Sequence, residues 1–211
     1  MKESDNTPLK EINILETPNT KSMLDRYLFV SAFCYDKEVL DVACGVGYGT
    51  ALLKSLGAKN VVGADIDTDA IVNASNRYGD FVEFTPTNVT VPWTTNDTYD
   101  VVVSLETFEH VPRETVPQML KNFKQVVRKG GKVIISTPRR RADKWEYMGG
   151  THLYEYSVSE FLEELRAEFD DIKLFYAMEF RHISEQLHAS FTDEPEYADK
   201  CRVMMAVITV K

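Results

Sequence analysis

The sequence predicts an α/β fold in which a doubly wound sheet of seven strands, mostly parallel with an antiparallel last strand, carries helices on both faces. Short runs of β-branched residues alternate with stretches of helical spacing along most of the chain. Several of these runs are apolar on both faces, as expected for parallel strands that are covered by helices on both sides. A glycine-rich turn follows the first run, which is where sheets of this kind bind their ligands.

The predicted elements follow one another in a regular order. A polar stretch over residues 1–19 is expected to be a mobile segment or a lid, and apolar positions at helical spacing follow over 20–34. Strands are predicted at 38–43, 60–65, 81–85, 100–105, 132–137, 171–177 and 202–210. Helices are predicted at about 47–56, 68–77, 114–128 and 157–168, and the third of these is expected to end at the RKGG stretch. The last two strands are close enough in sequence to pair antiparallel, and a single domain over residues 1–211 accommodates all of these elements.

Composition and charge narrow the class of protein. The chain has 24 basic and 33 acidic residues and a formal net charge of −9, so nucleic acid is not an expected partner. The three cysteines show no metal-binding spacing, which favours a reducing compartment. The N-terminus lacks the apolar core of a signal peptide, and the apolar run at 203–210 is too short to span a bilayer. We therefore expect a cytoplasmic protein that does not bind membranes, whose oligomeric state stays open, a homodimer included.

The glycine-rich turn lies in the stretch VLDVACGVGYGT at 39–50. Gly45, Gly47 and Gly49 let a ligand approach the backbone closely, and Asp65 follows Gly45 by 20 residues, where a carboxylate accepts hydrogen bonds from ribose hydroxyls. These features alone fit NAD nearly as well as S-adenosylmethionine. Asp41 changes the balance, because its carboxylate would repel a pyrophosphate but attract a cationic amino group. The G-x-G-x-G spacing also differs from the G-x-G-x-x-G of dinucleotide sites.

Over roughly residues 20–210 the sequence resembles the class I S-adenosylmethionine-dependent methyltransferases. The matching motifs are, in order, VLDVACGVGYGT, VVGADIDTDAI, FTPTNVT, YDVVVSLETFEHVP and RKGGKVIISTP. The resemblance implies a Rossmann-like domain in which Asp65 holds the ribose, Ile66 lies against the adenine, and Asn88 meets the adenine amino group. Two positions depart from the family pattern: Ala43 is usually glycine and Asn88 is usually aspartate. The implied cofactor-binding residues are Asp41, Ala43, Gly45, Gly47, Asp65, Ile66, Asn88, Val89 and Leu105.

The acceptor is less clearly indicated than the cofactor. The stretch after the fourth strand, ETFEHVP, and the later GTHLYEYSVSEF resemble the ubiquinone-pathway O-methyltransferases most closely. There is neither the Asp/Asn-Pro-Pro-Tyr/Phe turn of amine-methylating DNA enzymes nor a Pro-Cys nucleophile. We therefore expect O-methylation of a soluble hydroxylated small molecule, anionic or sugar-like. Two alternatives stay open: an RNA terminal ribose 2′-O-methyltransferase, and a non-catalytic subunit that only binds the cofactor.

Acidic residues and a histidine stand at helical spacing directly after the fourth strand. Glu106, Glu109 and His110 occupy positions i, i+3 and i+4, so one helical turn would bring them to one face. Together with His152 they would suit a divalent cation such as Mg²⁺, Mn²⁺ or Zn²⁺, which lowers the pKa of a bound hydroxyl. The alternative is a metal-free site in which His110 is the general base and Glu106 orients it.

A basic run, RRRADKW at 139–145, follows the fifth strand. Arg139 and Arg140, together with Tyr154, are candidate substrate contacts, since guanidinium groups bind carboxylates or phosphates well. The alternative interpretation is a solvated basic loop.

Overall fold

The computed structural model describes residues 18–140, 152–177 and 191–211 of the chain, with side chains from residue 23 onward. Residues 1–17 of the segment expected to be a mobile lid, residues 141–145 of the basic run and residues 178–190 lie outside the described part. The last two residues of the expected lid segment, 18 and 19, belong to the first helix. Within the described part, no helix is both long and apolar enough to cross a membrane.

Eight strands form one mixed sheet, with helices on both of its faces. The helices are α1 Pro18–Cys34, α2 Tyr48–Ser55, α3 Thr68–Tyr78, α4 Val116–Val126 and α5 Val158–Arg166. The strands are β1 Glu38–Val42, β2 Asn60–Asp65, β3 Glu83–Pro86, β4 Tyr99–Leu105, β5 Val127–Pro138, β6 Asp171–Ala177, β7 Phe191–Thr192 and β8 Val203–Thr209. The strand order is β3-β2-β1-β4-β5-β8-β6-β7. Strands β1 to β5 are parallel, whereas β8 is antiparallel to both of its neighbours.

This architecture confirms the predicted doubly wound sheet and its antiparallel last strand. The predicted number of strands was wrong by one, because the two-residue β7 pairs with the end of β6. The RKGG stretch does not end a helix but lies within β5, which begins at Val127 directly after α4. Gly130 has φ +80°, and the pairing of β4 with β5 shifts register between Tyr99 and Val101, so the early part of β5 pairs irregularly with β4.

Two apolar layers cover the sheet, because successive strand residues point to opposite faces. On one face, residues such as Leu40 and Val102 pack against α4 and α5. On the other, residues such as Val39 and Val101 pack against α1 and α2. With both faces covered, the edge at the carboxyl ends of β1, β2, β3 and β4 is where a ligand can reach the backbone.

Candidate functional site

The turn after β1 has a backbone that only small residues accommodate. Gly47 has φ +78°, and a Cβ on it would lie 2.6 Å from the Phe84 ring. Gly49 lies under the ring of Tyr27, which a Cβ would overlap. Ala43 also has a positive φ, +59°, so it occupies a conformation that glycine adopts at lower cost. The turn therefore packs closely against the rings of Phe84 and Tyr27 on one side, and its opposite side is open to a ligand.

Asp65, at the end of β2, joins this turn to the neighbouring strand. Its Oδ2 accepts a hydrogen bond from Gly45 N at 2.7 Å, and its Oδ1 accepts one from Asp67 N at 2.9 Å. Two large apolar side chains flank this pair: Val46 is 54% exposed and Ile66 is 66% exposed. Exposed apolar side chains beside a polar anchor are typical of a site whose ligand covers them.

Asp41 supports the turn from beneath. Its carboxylate is fully buried and accepts hydrogen bonds from Thr50 Oγ1 at 2.7 Å and from Tyr27 OH at 3.2 Å. Burial raises the pKa of Asp41 to about 7, against the opposing effect of these two hydrogen bonds. The expected direct contact with a cationic amino group does not fit this buried position. Through its hydrogen bonds with Tyr27 and Thr50, Asp41 instead connects α1 and α2 to β1.

The loop after β3 carries Asn88 and Val89 and adjoins Asp65, because Thr87 N donates to Asp65 O at 2.7 Å. A side chain from α4 anchors this loop. Asn122 Nδ2 donates to the carbonyl oxygens of Val89 and Val91 at 2.9 Å each, and its Oδ1 accepts from Trp93 N at 3.1 Å.

Sequence reasoning missed Asn122. A single asparagine on the apolar face of a strongly amphipathic helix is the signal that could have found it, since buried amides need hydrogen-bond partners.

Glu106 begins the segment that follows β4, in a left-handed conformation with φ +54°. Its Oε1 accepts a hydrogen bond from Ser136 Oγ at 2.8 Å, and its Oε2 lies 3.8 Å from Nη1 of the buried Arg26. Leu105, predicted to contact the cofactor, is the buried last residue of β4. The contribution of Arg26 and Ser136 had no signal in the local sequence, because α1 and β5 bring them from distant parts of the chain.

Three of the four predicted metal ligands lie together. One potential ligand atom from each of Glu109, His110 and His152 lies within 4.8 Å of the others. Glu106 is not part of this group. The predicted helical turn was wrong, because the positive φ of Glu106 redirects the chain before a short 3₁₀ helix, Phe108–His110, begins.

Glu109 is the buried member of this group. Its Oε2 accepts a hydrogen bond from Thr137 Oγ1 at 2.9 Å, and its Oε1 lies 3.8 Å from His110 Nε2. Burial, reinforced by the charge of Glu106, raises the pKa of Glu109 to about 8. The imidazole rings of His110 and His152 stand edge to face, with centroids 4.9 Å apart. Because burial disfavours the charged form of Glu109, a bound proton or a neighbouring cation stabilises this side chain.

The predicted substrate arginines have protein partners. Arg139 Nε donates to Cys201 O at 2.8 Å, and Arg140 forms an ion pair with Glu160 at 2.7 Å. Tyr154 OH accepts a hydrogen bond from Arg140 at 2.8 Å and donates to Glu160. These contacts favour a structural role for the two arginines over an anion clamp.

Comparisons with known proteins agree with this geometry. The sequence model of a family described as a methyltransferase domain matches residues 17–186. A "Probable S-adenosylmethionine-dependent methyltransferase" of Mycolicibacterium smegmatis is 31% identical over 107 residues, which are 51% of this chain and 40% of that protein. A "Ubiquinone biosynthesis O-methyltransferase" of Rickettsia typhi is 35% identical over 124 residues, 56% of this chain and 47% of that protein. The chain thus spans less than half the length of these curated relatives.

A solved structure shares the fold over nearly the whole chain. The S-adenosylmethionine-dependent methyltransferase of Thermotoga maritima, described as a possible histamine N-methyltransferase, superposes with a TM-score of 0.71 at 16% identity. The superposition covers 92% of this chain and 91% of the other. The motifs, the sheet order and the matched family lead to one conclusion: this chain belongs to the methyltransferase-domain family of class I S-adenosylmethionine-dependent methyltransferases.

Proposed function

We propose that this protein binds S-adenosylmethionine at the carboxyl ends of β1 to β4 and transfers its methyl group to a hydroxyl oxygen of a small molecule. The observation that carries the proposal is the turn after β1. There the Asp65–Gly45 hydrogen bond lies between the exposed side chains of Val46 and Ile66. The remaining lone pairs of Asp65 suit ribose hydroxyls, and Ile66 offers an apolar face to a purine.

Arg26 supplies positive charge for the methionine part of the cofactor. Arg26 is 8% exposed, and its Nη1 lies 3.8 Å from the carboxylate of Glu106, the residue that directly follows β4. A partly desolvated guanidinium binds a carboxylate strongly and in a fixed orientation. With this role α1 belongs to the site, although none of the sequence motifs includes a residue of α1.

His110 and its neighbours act on the acceptor. Glu109 and His110 follow β4, which pairs directly with β1, and the segment that carries His152 is bonded to Glu109 O, so the group lies at the same edge of the sheet as the turn after β1. His110 takes the proton of the acceptor hydroxyl, and the ionised form of Glu109, with its Oε1 3.8 Å from His110 Nε2, stabilises the charged imidazole. Glu106, held by Ser136, contributes negative charge at the same edge.

A divalent cation fits the same three side chains. Two imidazoles and one carboxylate oxygen are a donor set that Zn²⁺ and Mn²⁺ accept, and Mg²⁺ accepts it less well. A bound cation would lower the pKa of the acceptor hydroxyl. Glu109, His110 and His152 would hold it, and Glu106 would remain outside the ligand set.

The acceptor class rests on the charge of the chain and on the named relatives. A formal charge of −9 and the protein partners of Arg139 and Arg140 weigh against RNA as the acceptor. The Rickettsia typhi relative is named as an O-methyltransferase, which supports oxygen as the acceptor atom. A soluble hydroxylated compound therefore fits best.

The test is turnover of S-adenosylmethionine with a panel of catechols, phenols, sugars and short RNA, followed by mass spectrometry of both products. Methylation of a hydroxylated small molecule by the wild type supports the proposal. Cofactor binding without methylation of any member would favour the non-catalytic alternative, and methylation of RNA alone would favour the RNA enzyme. Activity after chelation, then with each metal restored, shows whether the cation or His110 alone activates the acceptor.

A further inference from the structure

Asn88, in the loop after β3, has a carboxamide whose orientation the protein fixes. Its Oδ1 accepts hydrogen bonds from Thr90 N at 2.9 Å and from Thr90 Oγ1 at 2.8 Å. A carboxamide oxygen has two lone pairs, so both are used by Thr90. The reverse orientation would set an NH₂ group against the Thr90 N–H, two donors facing each other, and is excluded on chemical grounds.

The backbone around Asn88 is held as firmly as its side chain. Trp93 Nε1 donates to Asn88 O at 2.9 Å, and Asn122 bonds three further backbone groups of the same loop. In the part of the chain that the structure describes, no acceptor is bonded to Asn88 Nδ2. The group that Asn88 can offer to a ligand is therefore a donor.

The position of Asn88 directs this donor to the base of a bound nucleoside. Thr87 N donates to Asp65 O, so Asn88 follows directly on the residue that joins the loop to Asp65. If the ribose is held by the Asp65 carboxylate and the base lies against the exposed side chain of Ile66, as proposed above, then the base is next to this loop, which Thr87 joins to Asp65. The polar edge of the base then meets whatever hydrogen-bonding group the loop provides.

We propose that, because of Asn88, the purine site of this protein accepts a base with either a 6-amino or a 6-oxo group. This inference rests on the proposed binding of S-adenosylmethionine and concerns the same site. An NH₂ donor pairs with a ring nitrogen of adenine or with the 6-oxo group of hypoxanthine, and it cannot accept a hydrogen bond from the 6-amino group of adenine. An aspartate at this position would do the opposite: it would accept from the 6-amino group and repel a 6-oxo group.

The experiment compares S-adenosylhomocysteine with S-inosylhomocysteine by titration calorimetry. The two ligands differ only at the edge of the base: the second has a 6-oxo group in place of the 6-amino group, and an N1–H in place of the N1 acceptor. Wild-type dissociation constants are expected to agree within about threefold, because one donor serves both bases. Asn88→Asp is expected to shift their ratio at least about tenfold toward the adenine ligand, since a charged acceptor makes a strong hydrogen bond. Asp65→Asn is the matched control, and it should weaken both ligands by the same factor, because both carry the ribose.

Each possible outcome either supports or overturns the inference. A wild type that rejects the inosine ligand by more than about tenfold, or an Asn88→Asp protein with an unchanged ratio, overturns the inference and leaves cofactor binding intact. If Asn88→Asp does not fold, Asn88→Ala replaces it: equal weakening of both ligands supports the inference, and unequal weakening overturns it. A wild type that binds neither ligand contradicts the proposed function itself, and the inference with it.

Discussion

The part of the carboxyl edge that we propose binds the cofactor (the cofactor half) and the part that we propose binds the acceptor (the acceptor half) are assembled differently. The cofactor half consists of the turns after β1, β2 and β3, and its central hydrogen bond joins Gly45 to Asp65, only 20 residues apart. The acceptor half combines the end of β4 with His152, which comes from a segment beyond β5. Local motifs therefore define the first half, whereas docking of a distant segment defines the second.

The two halves also differ in what supports them. Buried polar side chains, Asp41 and Asn122, hold the cofactor turns from below. The segment at His152 is held by its backbone: Leu153 N and Tyr154 N both donate to Glu109 O, at 2.7 and 3.2 Å. Substitutions beneath the cofactor half should therefore change stability and binding together, whereas substitutions in the acceptor half should change turnover alone.

The largest effect is expected for His110→Ala. Loss of a positioned base should lower kcat by about 10²- to 10⁴-fold while the dissociation constant of S-adenosylhomocysteine stays unchanged. Steady-state kinetics and calorimetry on the same preparation measure both. His152→Ala is the matched control: a loss of equal size favours a bound cation, and a small loss favours His110 as a metal-free base. A His110→Ala protein with an unchanged kcat would contradict the proposed role of this histidine in activating the acceptor.

The next largest effect concerns the pH dependence of stability through Asp41. Its folded pKa, about 7, lies above the ordinary value of 3.8, so the folded protein binds more protons between these pH values. The contribution of Asp41 to the free energy of unfolding should therefore be largest below about pH 4, fall as the pH rises to about 7, and level off above. The difference corresponds to on the order of 4 kcal/mol. Urea unfolding of the wild type and Asp41→Asn across this range isolates the effect, and parallel curves for the two proteins would contradict it.

Much of the cofactor half could be predicted from the sequence, because its signals are short. The glycine turn and Asp65 lie where the spacing of strands and glycines indicates, and Ile66, which the family resemblance places at the adenine, is exposed beside them. The position of Glu106 could not be predicted, because a positive φ at a non-glycine residue overrides helical spacing. The start of β5 was missed for a related reason: lysine and glycine after a helix favour a helix end, whereas pairing with β4 extends the strand.

Asp65→Ala tests the central contact of the cofactor half. It removes the acceptor of Gly45 N and the carboxylate that we propose accepts two hydrogen bonds from ribose, so the binding free energy of S-adenosylhomocysteine should weaken by about 2–4 kcal/mol. Asp67→Ala is the matched control two residues away. It removes the cap of α3, formed with Asp69 N and Ala70 N, and should cost about 1 kcal/mol of stability with little change in affinity. Equal affinities of wild type and Asp65→Ala would refute the assignment.

The smallest effect is expected for Asn122→Asp. This substitution tests whether α4, through Asn122, supports the loop after β3 in the cofactor half. The substitution keeps the size of the side chain and its bond from Trp93 N, but it faces the carbonyl oxygens of Val89 and Val91 with a carboxylate oxygen. Two carbonyl acceptors lose their donor and face a buried carboxylate oxygen instead, so the free energy of unfolding should fall by about 2 kcal/mol. Affinity for S-adenosylhomocysteine should also fall, with kcat at saturating cofactor unchanged. Gln118→Ala, which removes one further bond to Asn122, is the control and should have a minor effect on both quantities. If Asn122→Asp lowers stability but the folded protein binds the cofactor as tightly as the wild type, then α4 supports the core alone, and the cofactor half depends on its own strand-end motifs.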